Sequence, residues 1–451
     1  MDGRLVSTSP WDGAPVHDGP ADGGLDTVLA RAAAAWTAEV PPAVIRARLE
    51  QLSAVLTAHR AEAIALLIRE AGKTRADATA EADLLPRKIA ISLGAGLART
   101  PLAPTPAAGP DLPAIRWRPR GVALCLGPFN FPLHLLHGLV VPALAVGCPV
   151  IAKPSERCPA LGAWYRERLI EAGLGDRAQV VLGGPDTVRA LANSSVVATV
   201  AAVGSRRMGL ALAALLAPRP EVVLALELGG VNHALVCADA DLAQALPALA
   251  DGAWRMAGQR CTATRIVHVP RSRAEELIAG LRAAQRAWQG DRTPEGILGP
   301  LISSGERERF QQAFRPLAQA SGWQVLAGTT TGDGAFADPL LLAVDPAGRA
   351  APAYTDEHFG PYLIIDIFDD EAAAVARMRA NPLRLSAAVW TADPANFQRL
   401  AQRLPYGLVN WNRNTAGARS DLPFGGCGQS GNGRPAAVAA GQIFADETVW
   451  G

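Results

Sequence analysis

The sequence predicts an α/β protein built on a parallel sheet covered by helices on both faces. Three observations carry this. Short β-branched runs alternate with helix-period runs between residues 120 and 228. Those short runs are β-branched and mostly apolar, as strands in a sheet covered on both faces tend to be. Gly- or Pro-containing turns (Gly-Pro-Phe-Asn, Lys-Pro-Ser-Glu, Val-Gly-Ser and Glu-Leu-Gly-Gly) follow four of them, at the carboxyl ends where such sheets bind ligands.

Taken in chain order, residues 26–99 read as helices, with apolar positions every three or four residues. Thr100 to Pro113 is rich in Pro and Ala and reads as a linker or extended arm. Ala114-Ile115-Arg116-Trp117-Arg118 alternates apolar and charged residues like an edge strand. From Arg120 come five strands, GVALCL, PVIA, AQVVL, VVATVAAV and EVVLAL, with helices over 133–146, 159–172, 185–193 and 205–217 between them. A second α/β unit starts near Gly230, with strands such as HALVCA, RIVHV and YLIIDIF, and the chain ends from about Ala436 in an extended tail.

Composition bounds the function. A chain of 451 residues suggests two or three domains. Its net charge of +1, with both signs scattered, gives no reason to expect a nucleic-acid partner. The six cysteines are widely spaced and form no CxxC pair, which suits reduced thiols in a cytoplasmic protein. The N-terminus lacks the apolar core of a signal peptide. The longest apolar stretch, Leu135 to Ala152, is broken by Gly138, Pro142, Gly147 and Pro149, so it reads as helix, turn and strand and not as a membrane span. The seven histidines show no ligand spacing, and no metal is expected.

Three residues suggest chemistry. Cys261, preceded by Arg260 and flanked by small polar residues, is a candidate low-pKa nucleophile, although a free cysteine is more often a small buried apolar residue. Glu227 ends the fifth strand, in an apolar setting, and is followed by two glycines that let the backbone approach a ligand; it is a candidate general base, or else a solvated strand-end carboxylate. Asn130 sits between two prolines, in Gly-Pro-Phe-Asn-Phe-Pro, where its amide could donate to an oxyanion or simply complete a turn. Gly204-Ser205 opens a helix whose first N–H groups could face a pyrophosphate.

With these motifs in this order, the sequence resembles the aldehyde dehydrogenase superfamily over nearly its whole length. Glu227 precedes Cys261 by 34 residues, the family's spacing of general base and nucleophile. Lys153-Pro154-Ser155-Glu156, Gly204-Ser205 with Gly209, Glu357-His358-Phe359-Gly360-Pro361, Pro423-Phe424-Gly425-Gly426 and Ser430-Gly431 complete the match. The resemblance implies that Cys261 attacks an aldehyde, that Asn130 and the Cys261 N–H receive the oxyanion, and that Glu227 activates the hydrolytic water. It also implies NAD as cofactor, with Lys153 and Glu156 at the adenosine ribose, Glu357 at the nicotinamide ribose and Phe359 beside the ring; a carboxylate at the ribose would repel a 2′-phosphate. Ala202-Val203 stands where the family usually has Phe-Thr.

The implied architecture is aldehyde dehydrogenase-like. A Rossmann-like NAD-binding domain would comprise 1–99 and 121–229, an α/β catalytic domain 230–435, and a bridging β element for homodimer or homotetramer formation would be made by the arm 100–120 and the tail 436–451. The partner is a small-molecule aldehyde, with no nucleic acid and no membrane. Within the superfamily the chain most resembles the subgroup acting on N-succinylglutamate 5-semialdehyde, through Glu70-Ala71-Gly72-Lys73, Lys88-Ile89-Ala90-Ile91-Ser92, Asn410-Trp411-Asn412 and Ser430-Gly431-Asn432. That substrate needs room and cations: Gly138 stands where many members carry a bulky aromatic, and His134, Arg413 and Arg419 are candidate substrate contacts, each as readily a packing or solvated residue. The chain begins close to Ser7-Thr8-Ser9-Pro10-Trp11, without the strand pair usual ahead of that motif. Another ω-carboxylate semialdehyde, a coenzyme A-acylating reaction and a catalytically silent fold are the competing readings.

Overall fold

The computed structural model describes residues 3–103 and 114–450. Five parallel strands form the first sheet, in the order Val223–Leu228, Val197–Gly204, Val122–Leu126, Val150–Lys153, Ala178–Val180. The chain winds outward from Val122–Leu126 in both directions, so the switch point lies between that strand and Val197–Gly204, and a ligand crevice is expected at their carboxyl ends. The helices between them, His134–Ala145, Pro159–Glu171, Pro185–Asn193 and Arg206–Leu216, fall where the helix-period runs placed them.

A sixth strand on this sheet was not legible in the sequence. Gly431–Asn432 pairs antiparallel with Val223–Leu228, placing Gly431 opposite Glu227. A two-residue strand has no periodicity to detect, and this one comes from within the residues assigned to the second unit. The Ser430 hydroxyl donates to the Gly229 carbonyl at 2.8 Å, and the Leu228 N–H donates to the Ser430 carbonyl at 2.9 Å.

The second sheet has seven strands in the order Trp323–Ala327, Leu340–Val344, Tyr362–Phe368, Thr264–Pro270, Asn232–Val236, Ser386–Trp390, Leu408–Trp411, all parallel except the first pairing. Thr264–Pro270 and Asn232–Val236 lie centrally and put their amino ends, just after Cys261 and Gly230, toward the carboxyl edge of the first sheet.

The N-terminal helices Pro42–Ala58, Arg60–Ala71 and Arg75–Ile91 pack on the first sheet's helices through Leu49, Leu52, Leu67 and Leu85, each worth about 1.5–3 kcal/mol on full burial. The long helix-period run over 44–72 is two helices, divided at His59. Ahead of them, Arg4–Thr8 pairs with Pro15–Pro20 around the Trp11 turn, strands that the sequence reading did not assign. Ala114–Pro119 pairs antiparallel with Ala445–Trp450 as a separate two-stranded sheet, so the segments read as edge strand and tail meet. Residues 104–113 of the segment read as linker lie outside the described residues. Among the described residues no helix is long and apolar enough to cross a membrane, and no cluster of side chains could hold a metal.

Candidate active site

Cys261 lies on a loop between the helix Leu242–Trp254 and the strand Thr264–Pro270. The preceding turn is strained: Met256, Ala257 and Gly258 all have positive φ, of 57°, 52° and 66°, a conformation costing a residue with a Cβ about 1–3 kcal/mol. Several buried groups hold it there. Gln259 Nε2 donates to the Met256 and Pro300 carbonyls at 3.2 and 3.3 Å, and Gln259 Oε1 accepts from the Ile302 N–H at 2.9 Å. The buried Arg265 guanidinium donates to the Gly258 carbonyl and, at 2.8 Å, to that of Gly360. On the other side of the cysteine, Asn232 Nδ2 donates to the carbonyls of Cys261 at 2.8 Å and Ala263 at 2.9 Å, while Asn232 Oδ1 accepts from the Ser386 N–H at 2.9 Å. The loop carrying Cys261 is thus fixed from both ends, as a preorganised site requires.

Asn130 is brought to this loop. Its Nδ2 donates to the Gln259 carbonyl at 2.9 Å, leaving that nitrogen one further N–H, and its Oδ1 accepts from the Phe131 N–H at 3.1 Å. Glu81 fixes the chain just beyond: it accepts the N–H groups of Leu133 and His134 at 3.0 and 2.9 Å and pairs with Lys73 at 3.0 Å, entirely buried.

Glu227 is 1% exposed, and neither of its carboxylate oxygens has a hydrogen-bond partner among the described residues. Burial pushes its pKa well above the usual carboxylate range, opposed by the Gly426 N–H and the charge of Arg434. Its charge is felt at Cys261. The thiol is raised by burial first, then by Glu227 and Glu357, against the pull of the backbone N–H groups of Cys261 and Thr262. The expectation that Arg260 lowers the thiol's pKa is therefore corrected: that side chain turns away to the Asp251 carbonyl, at 2.5 Å, and is itself buried.

The glycines after Glu227 make room for a second carboxylate. A Cβ on Gly229 would lie 1.7 Å from Glu357 Oε2, and the Gly230 N–H donates to Glu357 Oε1 at 3.1 Å. Burial raises the Glu357 carboxyl to about 7, with Arg265 and the Gly230 N–H opposing. Phe359 meets Phe129 edge to face, with ring centroids 5.8 Å apart.

Along the first sheet's carboxyl edge, the buried Lys153 pairs with Glu156 at 2.8 Å; burial would raise the Glu156 carboxyl, but Lys153 and Arg157 hold it below its ordinary value. Ser205 caps the helix Arg206–Leu216, accepting from the Met208 N–H at 3.2 Å. A Cβ on Gly209 would lie 2.7 Å from Leu228, so glycine lets this helix pack closely on the strand carrying Glu227. Ala202 and Val203 are buried in the strand itself.

The remaining candidates are more scattered. His134 begins the helix His134–Ala145, near Phe131, and its Nδ1 is buried without a partner among the described residues. Arg419 is exposed and held bidentate by Asp421, and Arg413 is exposed; no contact joins either to Cys261. Sequence reasoning missed Asn232 and Arg265. Both are polar residues at the amino-terminal ends of apolar strand runs, which is the signal that marks them.

The sequence pattern of the aldehyde dehydrogenase family matches residues 5–447. The chain is 34% identical over 449 residues to the N-succinylglutamate 5-semialdehyde dehydrogenase of Novosphingobium aromaticivorans, covering 98% of this chain and 94% of that one. It is 35% identical over 453 residues to N-succinylglutamate 5-semialdehyde dehydrogenase 1 of Caulobacter vibrioides, covering 98% and 95%. The crystal structure of an NAD-dependent aldehyde dehydrogenase from Sinorhizobium meliloti superposes with a TM-score of 0.92 at 26% identity, covering 99% of this chain and 90% of that one. A family match spanning nearly every residue joins a site in which Cys261, Asn130 and Glu227 come together, and the chain belongs to the aldehyde dehydrogenase family of oxidoreductases.

Proposed function

We propose that the chain oxidises N-succinylglutamate 5-semialdehyde to N-succinylglutamate with NAD, through a thioester on Cys261. The observation that carries the chemistry is Glu227, a buried carboxylate whose oxygens have no close hydrogen-bond partner among the described residues and whose charge raises the Cys261 thiol. The substrate rests on the relatives' names and on Gly138, which lacks the bulk that would crowd a long substrate.

The residues along the first sheet suit a dinucleotide. An ammonium and a carboxylate, Lys153 and Glu156, stand ready for the adenosine ribose; the N-terminus of Arg206–Leu216, with Gly204 and Ser205 before it and Gly209 seating it, suits the pyrophosphate; Glu357, seated by Gly229 and Gly230, suits the second ribose, with Phe359 beside the ring. NAD supplies a hydride acceptor when bound.

In the protein's own steps, Cys261 gives its proton to solvent and its Sγ bonds to the aldehyde carbon. The carbonyl oxygen becomes an oxyanion, received by the second N–H of Asn130 Nδ2 and the Cys261 backbone N–H. Loss of hydride from that carbon leaves the thioester. Glu227 then takes a proton from water, the hydroxide adds to the thioester carbon, the C–S bond breaks, and the acid departs with Cys261 restored. A positioned base beside the thioester makes water, not coenzyme A, the acceptor.

Ile115 and Val449 are opposite each other in the paired strands Ala114–Pro119 and Ala445–Trp450, and both side chains are exposed. This supports association through the arm and tail into a homodimer or homotetramer, with 1–99 and 121–229 binding cofactor and 230–435 carrying the nucleophile.

The test offers purified protein N-succinylglutamate 5-semialdehyde, glutamate semialdehyde, succinate semialdehyde and a plain aliphatic aldehyde, with NAD or NADP, and follows nicotinamide reduction beside a Cys261→Ser control. Preference for the succinylated substrate with NAD supports the reading. Preference for another aldehyde removes the substrate assignment, and stimulation by coenzyme A would favour the acylating reaction.

A further inference from the structure

The sequence contains three lysines among 43 Lys and Arg residues, and all three are buried. Arginine therefore serves nearly every ordinary cationic position, and each remaining lysine marks a place where a compact ammonium is used. Lys73 is paired with Glu81 at 3.0 Å and Lys153 with Glu156 at 2.8 Å. Lys88 differs. It is 1% exposed, its one hydrogen bond goes to the Ala437 carbonyl at 2.8 Å, and no carboxylate pairs with it among the described residues. Burial lowers it only to about 8, so at neutral pH it remains mostly charged. A buried ammonium with one of three donors used is costly, unless something else supplies the anion.

Its surroundings border the apolar cluster on which Cys261 packs. Ala437, which accepts from Lys88, packs in one small apolar cluster with Phe424, Leu385 and Cys261. On the facing helix, a Cβ on Gly138 would lie 3.8 Å from Lys88 Cε, so the missing side chain leaves space over the lysine stem. Two more polar atoms there are buried without partners among the described residues: Ser92 Oγ, one turn further along the lysine's side of the chain, and His134 Nδ1, one turn before Gly138. Burial first, then the charges of Lys88 and Lys73, hold His134 down to about 3, so its ring is neutral.

We propose that Lys88 Nζ receives a carboxylate of the aldehyde substrate, at the end remote from the reacting carbon, in the space left by Gly138 and beside His134 and Ser92. This rests on the carboxylated-semialdehyde reading above, and names the residue that selects for the carboxylate. Lys88 supplies the counter-charge that the exposed Arg413 and the Asp421-bound Arg419 supply only from the surface.

The test compares wild type with Lys88→Met on N-succinylglutamate 5-semialdehyde, succinate semialdehyde and pentanal, with thermal melting and calorimetric binding of N-succinylglutamate alongside. Lys88→Met is expected to raise KM for the carboxylated aldehydes at least about tenfold, as loss of a hydrogen-bonded charge contact should. KM for pentanal should move far less, product binding should be lost, and Tm should stay level or rise because a buried uncompensated charge is gone. An unchanged KM for the carboxylated aldehydes, or an equal rise for pentanal, overturns the assignment. Should Lys88→Met fail to fold, Gly138→Leu fills the approach with the lysine intact, and it must reproduce the selective KM rise or the inference falls. A wild type indifferent to the carboxylate removes the substrate reading and this inference together; a wild type that prefers it while Lys88→Met changes nothing removes the inference alone.

Discussion

Gly229→Ala tests the seat of Glu357 with the smallest possible change. The new Cβ would stand 1.7 Å from Glu357 Oε2, where an ordinary carbon–oxygen contact needs about 3.5 Å, so the carboxylate must retreat by roughly 1.8 Å. Starting from 3.1 Å, its bond from the Gly230 N–H does not survive such a shift. A hydrogen bond to a charged group is worth about 1.5–3 kcal/mol, or about 12–150-fold in affinity if Glu357 holds the nicotinamide ribose. The assay is the NAD dissociation constant by fluorescence titration, with melting temperature as the check on folding. Gly94→Ala is the control, because a Cβ there meets nothing within 4 Å. A folded Gly229→Ala protein binding NAD within twofold of wild type would refute the reasoning.

Three further outcomes are expected. Glu227→Gln should keep a rapid first turnover of nicotinamide reduction while steady-state turnover falls by about 10²–10⁴, the share of a general base; loss of the burst together with turnover would place Glu227 before the thioester instead. Asn232→Ala strips partners from the Cys261 and Ala263 carbonyls and the Ser386 N–H, so urea unfolding should show a loss of about 2 kcal/mol or more, with kcat falling too; a stable, fully active variant would show that the loop holds itself. For Glu357, a folded pKa near 7 against an ordinary 4.5 means the folded state holds the extra proton, so its stabilising effect is full below about 4.5 and is lost as pH rises through 7. Glu357→Gln should accordingly gain stability relative to wild type across that window, measured by urea midpoints at a series of pH values, and a flat difference would contradict it.

Much of this was legible in the sequence because the first sheet obeys strong local rules. Its five strands are mostly apolar, short and separated by helix-period runs, so period alone separates them, and Glu227 and Asn130 stand out as polar residues at or just past strand ends. What was hidden depends on contacts across the chain. The Gly431–Asn432 strand is too short to have a pattern, and the hairpin around Trp11 is made of Arg4–Thr8 and the polar Pro15–Pro20. The thiol environment could not be read from Arg260, since adjacency in sequence says nothing about where a long side chain points, and here it points to Asp251. Lys88 was visible as part of a motif, yet its lack of a counter-charge is a property of packing.

The strand Gly431–Asn432 has a bearing on how the chain is made. Until residue 432 has been synthesised, the strand Val223–Leu228 is an open sheet edge, with backbone groups free to pair with any extended segment nearby. A nascent chain would carry that exposed edge through the synthesis of about two hundred residues, the interval in which edge-to-edge aggregation is a hazard. The same strand that closes the edge brings Ser430 onto Gly229, between Glu227 and the Gly230 N–H that holds Glu357, so these two carboxylates are fixed late and together. Chaperone demand should therefore be greatest for ribosomes stalled between residues 228 and 430, and should drop once Ser430 can reach its partner.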